Sequence, residues 1–147
     1  MRGKMITSPT LLLLILSMGV LAMADFSVKE ASGKISPSLG TLIYALTASG
    51  VALAWVFWSR SREPLFMTRW GLAWSIATGV AFSTLVLLLF TVFTSGVNLS
   101  IGIPVIRLGG IMLAAILGIL VFREPVNLRY VIGFALAVIG ILLIVTQ

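Results

Sequence analysis

Five apolar runs, each long enough to cross a bilayer, constrain this chain more than any other feature of its sequence. A membrane-spanning helix needs about 20 apolar residues in succession. The runs occupy residues 8–28, 38–58, 70–94, 99–121 and 130–146. Inside the hydrocarbon every backbone polar group must find a partner within the protein, so runs of this length favour helices. The sequence therefore predicts an all-α membrane protein, a single domain over residues 1–147 built as a bundle of five transmembrane helices.

The composition agrees with a membrane protein and argues against several other classes. Charged residues make up 10% of the chain, whereas a soluble domain carries about 25%. The sequence has no Cys and no His, which removes disulfides, thiol nucleophiles and most transition-metal sites. With only four carboxylates, we expect no enzyme activity, no metal site and no cofactor. The net charge of +6 comes from basic residues beside apolar runs, a pattern of membrane orientation that argues against nucleic-acid binding.

The basic residues sort to one side of the predicted bundle. Seven of them share one face: Arg2, Lys4, Arg60, Arg62, Arg69, Arg123 and Arg129. Lys29 and Lys34 lie on the other. Cytoplasmic loops are enriched in Lys and Arg, so this asymmetry places the N-terminus in the cytoplasm and the C-terminus outside. We expect a multi-pass protein of the cell membrane, with a bacterial or archaeal inner membrane as its natural setting.

The first run has a second interpretation as a cleavable signal peptide. Arg2 and Lys4 precede a leucine-rich stretch, and Ala22-Met23-Ala24 precedes Asp25, an arrangement typical of a cleavage site. The apolar stretch nevertheless continues as far as Val28, which favours a membrane helix. We therefore expect a retained first helix, with cleavage after Ala24 as the alternative.

Arg107 is the strongest functional candidate, because it is the one ionisable residue in the fourth run. A charge at this depth costs roughly 2.5–3.5 kcal/mol on insertion scales, so such residues usually face a cavity, a counter-charge or a substrate. Pro104 supports a cavity, since a proline there leaves the Ser100 carbonyl without its helical partner and can kink the helix. The structural alternative is snorkelling: Arg107 lies about 12 Å from the outer end of its helix, and its side chain can reach toward the headgroups.

Four other polar residues complete the candidate site. Asp25 and Glu30 lie at a depth comparable to that of Arg107, so either is a candidate counter-charge or coupling group. An ion pair with Arg107 also has a purely structural interpretation, because it would lower the insertion cost of both groups. Tyr44 and Ser83 are candidate cavity-lining residues in a substrate-binding site, whereas the alternative for each is a hydroxyl satisfied within its own helix.

The C-terminal third has a distinctive arrangement. An apolar helix ends at Glu124, a short loop follows, and the last helix carries Gly133 and Gly140 seven residues apart. This arrangement resembles the end of an EamA domain of the drug/metabolite transporter superfamily, and residues 104–110 are similar to a variant of its fourth helix. Five spans in 147 residues match one whole domain. The sequence departs from the family pattern in lacking a Trp-Gly pair before Lys29, and in carrying Ile111 where many members have proline.

The resemblance implies both an assembly and a function. Full-length members carry two such domains in inverted orientation, so a single domain implies a half-size transporter that pairs with a second copy or a related subunit. The implied function is secondary transport of a small organic metabolite or toxic compound by alternating access, as a dimer. Lys29 stands where first helices of the family often carry a basic residue, with a position in the loop as the alternative.

Two other functions stay open at this point. A non-transporting accessory membrane subunit would pair Arg107 fully within its helix bundle and would have no water-accessible cavity. A lipid-carrier flippase subunit would bind a polyprenyl phosphate at a lateral opening beside Arg107. For a transporter, the cationic Arg107 favours a substrate with a carboxylate or a phosphate.

Overall fold

The structure, a computed structural model, describes residues 8–60, 62, 64–123 and 126–146. Five helices form within these ranges: α1 (Ser8–Ala31), α2 (Pro37–Ser59), α3 (Arg69–Thr94), α4 (Leu99–Phe122) and α5 (Leu128–Val145). Each of them is long and apolar enough to cross a membrane. The predicted all-α fold with five membrane helices is therefore confirmed.

The first helix is longer than the sequence predicts. It runs without a break through Ala24 and past Val28 to Ala31, and its last turn contains Lys29. Charged side chains interrupt an apolar pattern but not the helical hydrogen bonds, and a cation near a helix C-terminus interacts favourably with the helix dipole. The helix ends just before Gly33, whose positive φ of 78° is a conformation that glycine adopts without strain.

Local capping residues explain where the later helices begin. Pro37 occupies the first turn of α2, where its missing N–H costs no hydrogen bond. The Thr68 side chain accepts a hydrogen bond of 3.0 Å from the backbone N–H of Gly71 at the start of α3. The Asn127 side chain accepts a hydrogen bond of 2.8 Å from the backbone N–H of Tyr130. With this cap, α5 begins at Leu128, two residues before the predicted start.

The chain divides into two compact units, Met1–Ser95 and Gly96–Gln147. The first contains α1, α2 and α3, and the second contains α4 and α5. The single-domain organisation expected from the sequence stays a prediction.

In the first unit α3 is the central helix, because both α1 and α2 pack against it. The buried apolar side chains of the described residues all lie on its C-terminal half: Val86, Leu89, Phe90 and Phe93. Phe90 packs on Gly40 near the start of α2, and Phe93 lies beside Lys29 near the end of α1. Helices α1 and α3 therefore run in the same direction, and α2 runs antiparallel to both. Tight packing is confined to the end of the unit where α1 ends and α2 begins.

The second unit is a helical hairpin. Pro104 lies inside α4, which nevertheless continues as one helix to Phe122. The helix stops at Arg123, which adopts a left-handed conformation (φ 51°, ψ 43°) while its backbone N–H donates to the Gly118 carbonyl. Such a conformation is usual after a helix C-terminus, although glycine is the commoner residue there.

We expect Gly40→Ala to destabilise the protein, because a Cβ at this position would lie 2.7 Å from the Cζ atom of Phe90. Phe90 is itself buried and has little room to move, so the expected loss is about 1–3 kcal/mol. The measurement is the unfolding free energy of the purified protein in detergent.

Gly50→Ala is the matched control, since it lies in the same helix and its added Cβ would meet no atom within 4 Å. We expect this change to be neutral or to stabilise by up to about 1 kcal/mol, through the higher helix propensity of alanine. Equal effects of the two substitutions would contradict the packing of α2 on α3.

Candidate functional site

Asp25 and Glu30 occupy different environments, although both are carboxylates near the end of α1. Asp25 is only 5% exposed and lies about 9 Å before the end of the helix. The Glu30 side chain is 58% exposed and forms an ion pair of 3.1 Å with Lys34, which is itself 72% exposed. Asp25 is therefore the buried carboxylate of the two.

Lys29 connects α1 to α3. Its ammonium nitrogen lies 5.2 Å from the centroid of the Phe93 ring, a geometry that gives a cation–π attraction. Phe93 is 3% exposed, and Lys29 is half-buried. Lys29 thus contacts a neighbouring helix one turn beyond the buried Asp25, and this contact helps to hold the end of α1 in place.

Arg107, Pro104 and Ser100 share one face of α4, because helical residues spaced by three, four or seven lie above one another. Arg107 and Pro104 are partly buried, whereas Ser100 is exposed. Asp25 belongs to the first unit and Arg107 to the second, so the predicted ion pair between them stays a prediction. Both residues do have an interaction partner.

Tyr44 lines a wide groove between α1 and α2, with a volume of about 1010 Å³. The other lining residues are largely apolar: Val20, Ala24, Thr47, Ala48, Val51, Ala52, Trp55 and Val56. Tyr44 and Thr47 are the lining residues that carry hydroxyl groups, and the Thr47 hydroxyl donates to the Ile43 carbonyl at 2.8 Å. Ser83, on α3, is partly buried and does not line this groove.

Most helix hydroxyls of the described residues are satisfied by the carbonyl four residues earlier, as in Thr41, Ser49, Thr84 and Thr91. This is the structural role that the sequence left open for such residues. Within the described ranges, no three acidic side chains gather where a metal ion could bind. The charged candidates that remain are Asp25 and Lys29 in the first unit and Arg107 in the second.

The sequence did not single out two aromatic residues that pack near this site. Phe90 and Phe93 fix the ends of α1 and α2 against α3, yet an aromatic residue in an apolar helix looks the same whether it faces lipid or a neighbouring helix. The signal that could have found Phe90 is Gly40, since a glycine in a helix often marks a close approach of a neighbour.

Comparisons with known proteins leave the family undetermined. No family model matches the chain, and neither a curated protein nor a solved structure matches it. The helices by themselves define the class: the chain is a multi-pass membrane protein. The resemblance to an EamA domain stays a prediction from the residues that carry it.

A double-mutant cycle tests whether Lys29 and Phe93 stabilise the packed end. We expect Lys29→Met and Phe93→Leu to show a coupling of about 1–2 kcal/mol, because the contact is largely withdrawn from solvent. The coupling is measured from unfolding free energies in detergent. The control cycle, Glu30→Gln with Lys34→Met, removes an exposed ion pair and should give a coupling below about 1 kcal/mol. A larger coupling in the control cycle would contradict the role of Lys29.

Proposed function

We propose that this chain is the half-size subunit of a secondary transporter, which moves a small organic metabolite or toxic compound across the cell membrane by alternating access. The observation that carries the proposal is Asp25, an ionisable side chain that is 5% exposed within a membrane helix. Ionisable residues at such positions commonly mark substrate, ion or proton pathways. The proposal assigns Asp25 the coupling role, since Glu30 is exposed and already paired with Lys34.

Arg107 supplies the substrate contact in this proposal. It is partly buried and shares a face of α4 with Pro104, whose missing N–H leaves the Ser100 carbonyl without its usual helical partner. A guanidinium presents several donors in a fork that matches carboxylates and phosphates. An anionic substrate is therefore favoured over a quaternary amine.

The small amount of packing within the chain supports the half-size assembly of this proposal. The buried apolar side chains of the described residues amount to one cluster on α3, and α5 has none. In membranes a second copy or a related subunit can supply the missing helix contacts, and paired repeats enclose a site near the midplane in many transporters. The charge asymmetry supports a cytoplasmic N-terminus and an external C-terminus, in an inner membrane of bacterial or archaeal type.

A non-transporting accessory subunit is the second candidate. The observation that favours it is that Asp25, Lys29 and Arg107 all have interaction partners, which suits charges that serve only to join helices. In that case Arg107 contributes to stability and to assembly, and no compound crosses the membrane through the chain.

An uptake panel in proteoliposomes tests the transport role of Arg107. The panel contains carboxylates, organic phosphates, quaternary amines and a polyprenyl phosphate. We expect uptake of an anionic compound, and we expect Arg107→Ala to lower it at least tenfold, because the loss of a buried charged contact costs about 1.5–3 kcal/mol. Arg129→Ala, an exposed arginine at the start of α5, is the matched control and should leave uptake unchanged.

Three other results of this panel would change the assignment. Full uptake by a well-expressed Arg107→Ala protein would remove Arg107 from the substrate site. Movement of the polyprenyl phosphate alone would favour a flippase. Absence of uptake for every compound, together with loss of assembly in Arg107→Ala, would favour the accessory subunit.

Asp25→Asn tests the coupling role. Asparagine keeps the shape of the side chain but cannot carry a proton, so uptake in this variant should no longer respond to an imposed proton gradient. Glu30→Gln is the matched control and should retain the response, because Glu30 lies at the exposed end of the helix. A gradient response that persists in Asp25→Asn would contradict the assignment.

A further inference from the structure

The end of the first unit where α2 stops and α3 begins carries a surface that contains none of the charged residues assigned to the proposed transport cycle. All four tryptophans of the chain lie there, exposed by 61–78%: Trp55, Trp58, Trp70 and Trp74. Three exposed arginines lie in the same stretch: Arg60, Arg62 and Arg69. These seven residues are called the Trp–Arg patch below.

The patch contains a defined stack of side chains. The rings of Trp55 and Trp58 are stacked with their centroids 6.1 Å apart and an interplanar angle of 28°. The guanidinium carbon of Arg62 lies 5.2 Å from the centroid of the Trp58 ring. A backbone hydrogen bond of 2.8 Å from the Arg62 N–H to the Ser59 carbonyl turns the chain back at the end of α2, which brings Arg62 to this ring.

Stacking leaves the donors of Arg62 available to a ligand. A cation–π contact uses the positive charge of the guanidinium, whereas hydrogen bonds to a ligand use its five N–H groups, which lie in the guanidinium plane. Two of these N–H groups can donate to two oxygens of one phosphate. The ring restricts the orientation of the guanidinium, so less conformational freedom is lost when the phosphate binds.

The charge and the position of the patch identify the kind of ligand. Between Ser59 and Trp70 the sequence has three arginines and a single carboxylate, Glu63, so the segment is positive. The patch lies at the ends of two membrane-spanning helices, and exposed tryptophans at such ends sit at the level of the lipid headgroups. The phosphates concentrated at this level are those of lipid headgroups.

We propose that the Trp–Arg patch is a binding site for the headgroup of an anionic phospholipid. Arg62 binds the phosphate through two N–H groups, and Trp58 holds the guanidinium in place. Arg60 and Arg69 add attraction for the net negative charge, while they repel the choline of a zwitterionic lipid. The patch therefore selects anionic over zwitterionic phospholipids, and it does so independently of any transported compound.

The tryptophans themselves report on this binding, because all four lie in the patch. The full-length protein is reconstituted into phosphatidylcholine vesicles that contain increasing fractions of brominated phosphatidylglycerol, and quenching of tryptophan fluorescence gives the relative affinity. Brominated phosphatidylcholine supplies the reference. We expect phosphatidylglycerol to be preferred at least fivefold, and the preference should fall as sodium chloride is raised, because salt screens exposed charges.

Variants of Arg62 test the stack. We expect Arg62→Gln to lower the preference about fivefold, the effect of one juxtamembrane charge near an anionic surface. Arg62→Lys keeps the charge but loses the planar fork, so it should recover only part of the preference. Lys34→Gln removes an exposed charge at the opposite end of the unit and should leave the preference unchanged.

Several outcomes would overturn the proposal. Equal quenching by the two brominated lipids would show that the patch does not select by charge. A preference that survives Arg62→Gln, or that Arg62→Lys restores in full, would remove the Arg62–Trp58 stack as the binding element. An equal loss of preference in Lys34→Gln would show that the preference depends only on the net charge of the protein.

Discussion

The need to satisfy every backbone N–H and C=O group inside the hydrocarbon is the constraint on which the rest of this structure depends. Helices meet that need within a single segment, so each apolar run can form a helix without packing on another. Side-chain packing then has only a modest role. In the first unit it is confined to the C-terminal half of α3, where Phe90 lies on Gly40 and Phe93 lies beside Lys29.

This confined packing explains why similar residues have different roles. Asp25 and Glu30 are both carboxylates on the same helix, yet Asp25 is buried and Glu30 is exposed with Lys34. Within the last turn itself Lys29 lies against Phe93 of α3, whereas Glu30 is exposed. A buried carboxylate beside a fixed cation–π contact is an arrangement that suits coupling, whereas an exposed ion pair contributes little.

The two ends of the first unit thus have contrasting chemistry. One end is closed by aromatic packing and holds the buried acidic group, while the other exposes tryptophans and arginines around the Arg62–Trp58 stack. The groove of α1 and α2 is lined by Tyr44 and by largely apolar residues.

By itself the sequence determined the five helices, their short connections and the charge asymmetry, because the length of an apolar run and the chemistry of its flanks are local properties. It also singled out Asp25 and Arg107, since a charge in an apolar run is visible without a structure, whereas Lys29 was noticed through the resemblance to a known family. Only the tertiary structure decided that Asp25 is buried while Glu30 is exposed, and that Lys29 lies on Phe93. The physical reason is that apolar helices are covered equally well by lipid and by protein. The hydropathy of a helix therefore does not indicate which of its faces meets a neighbour.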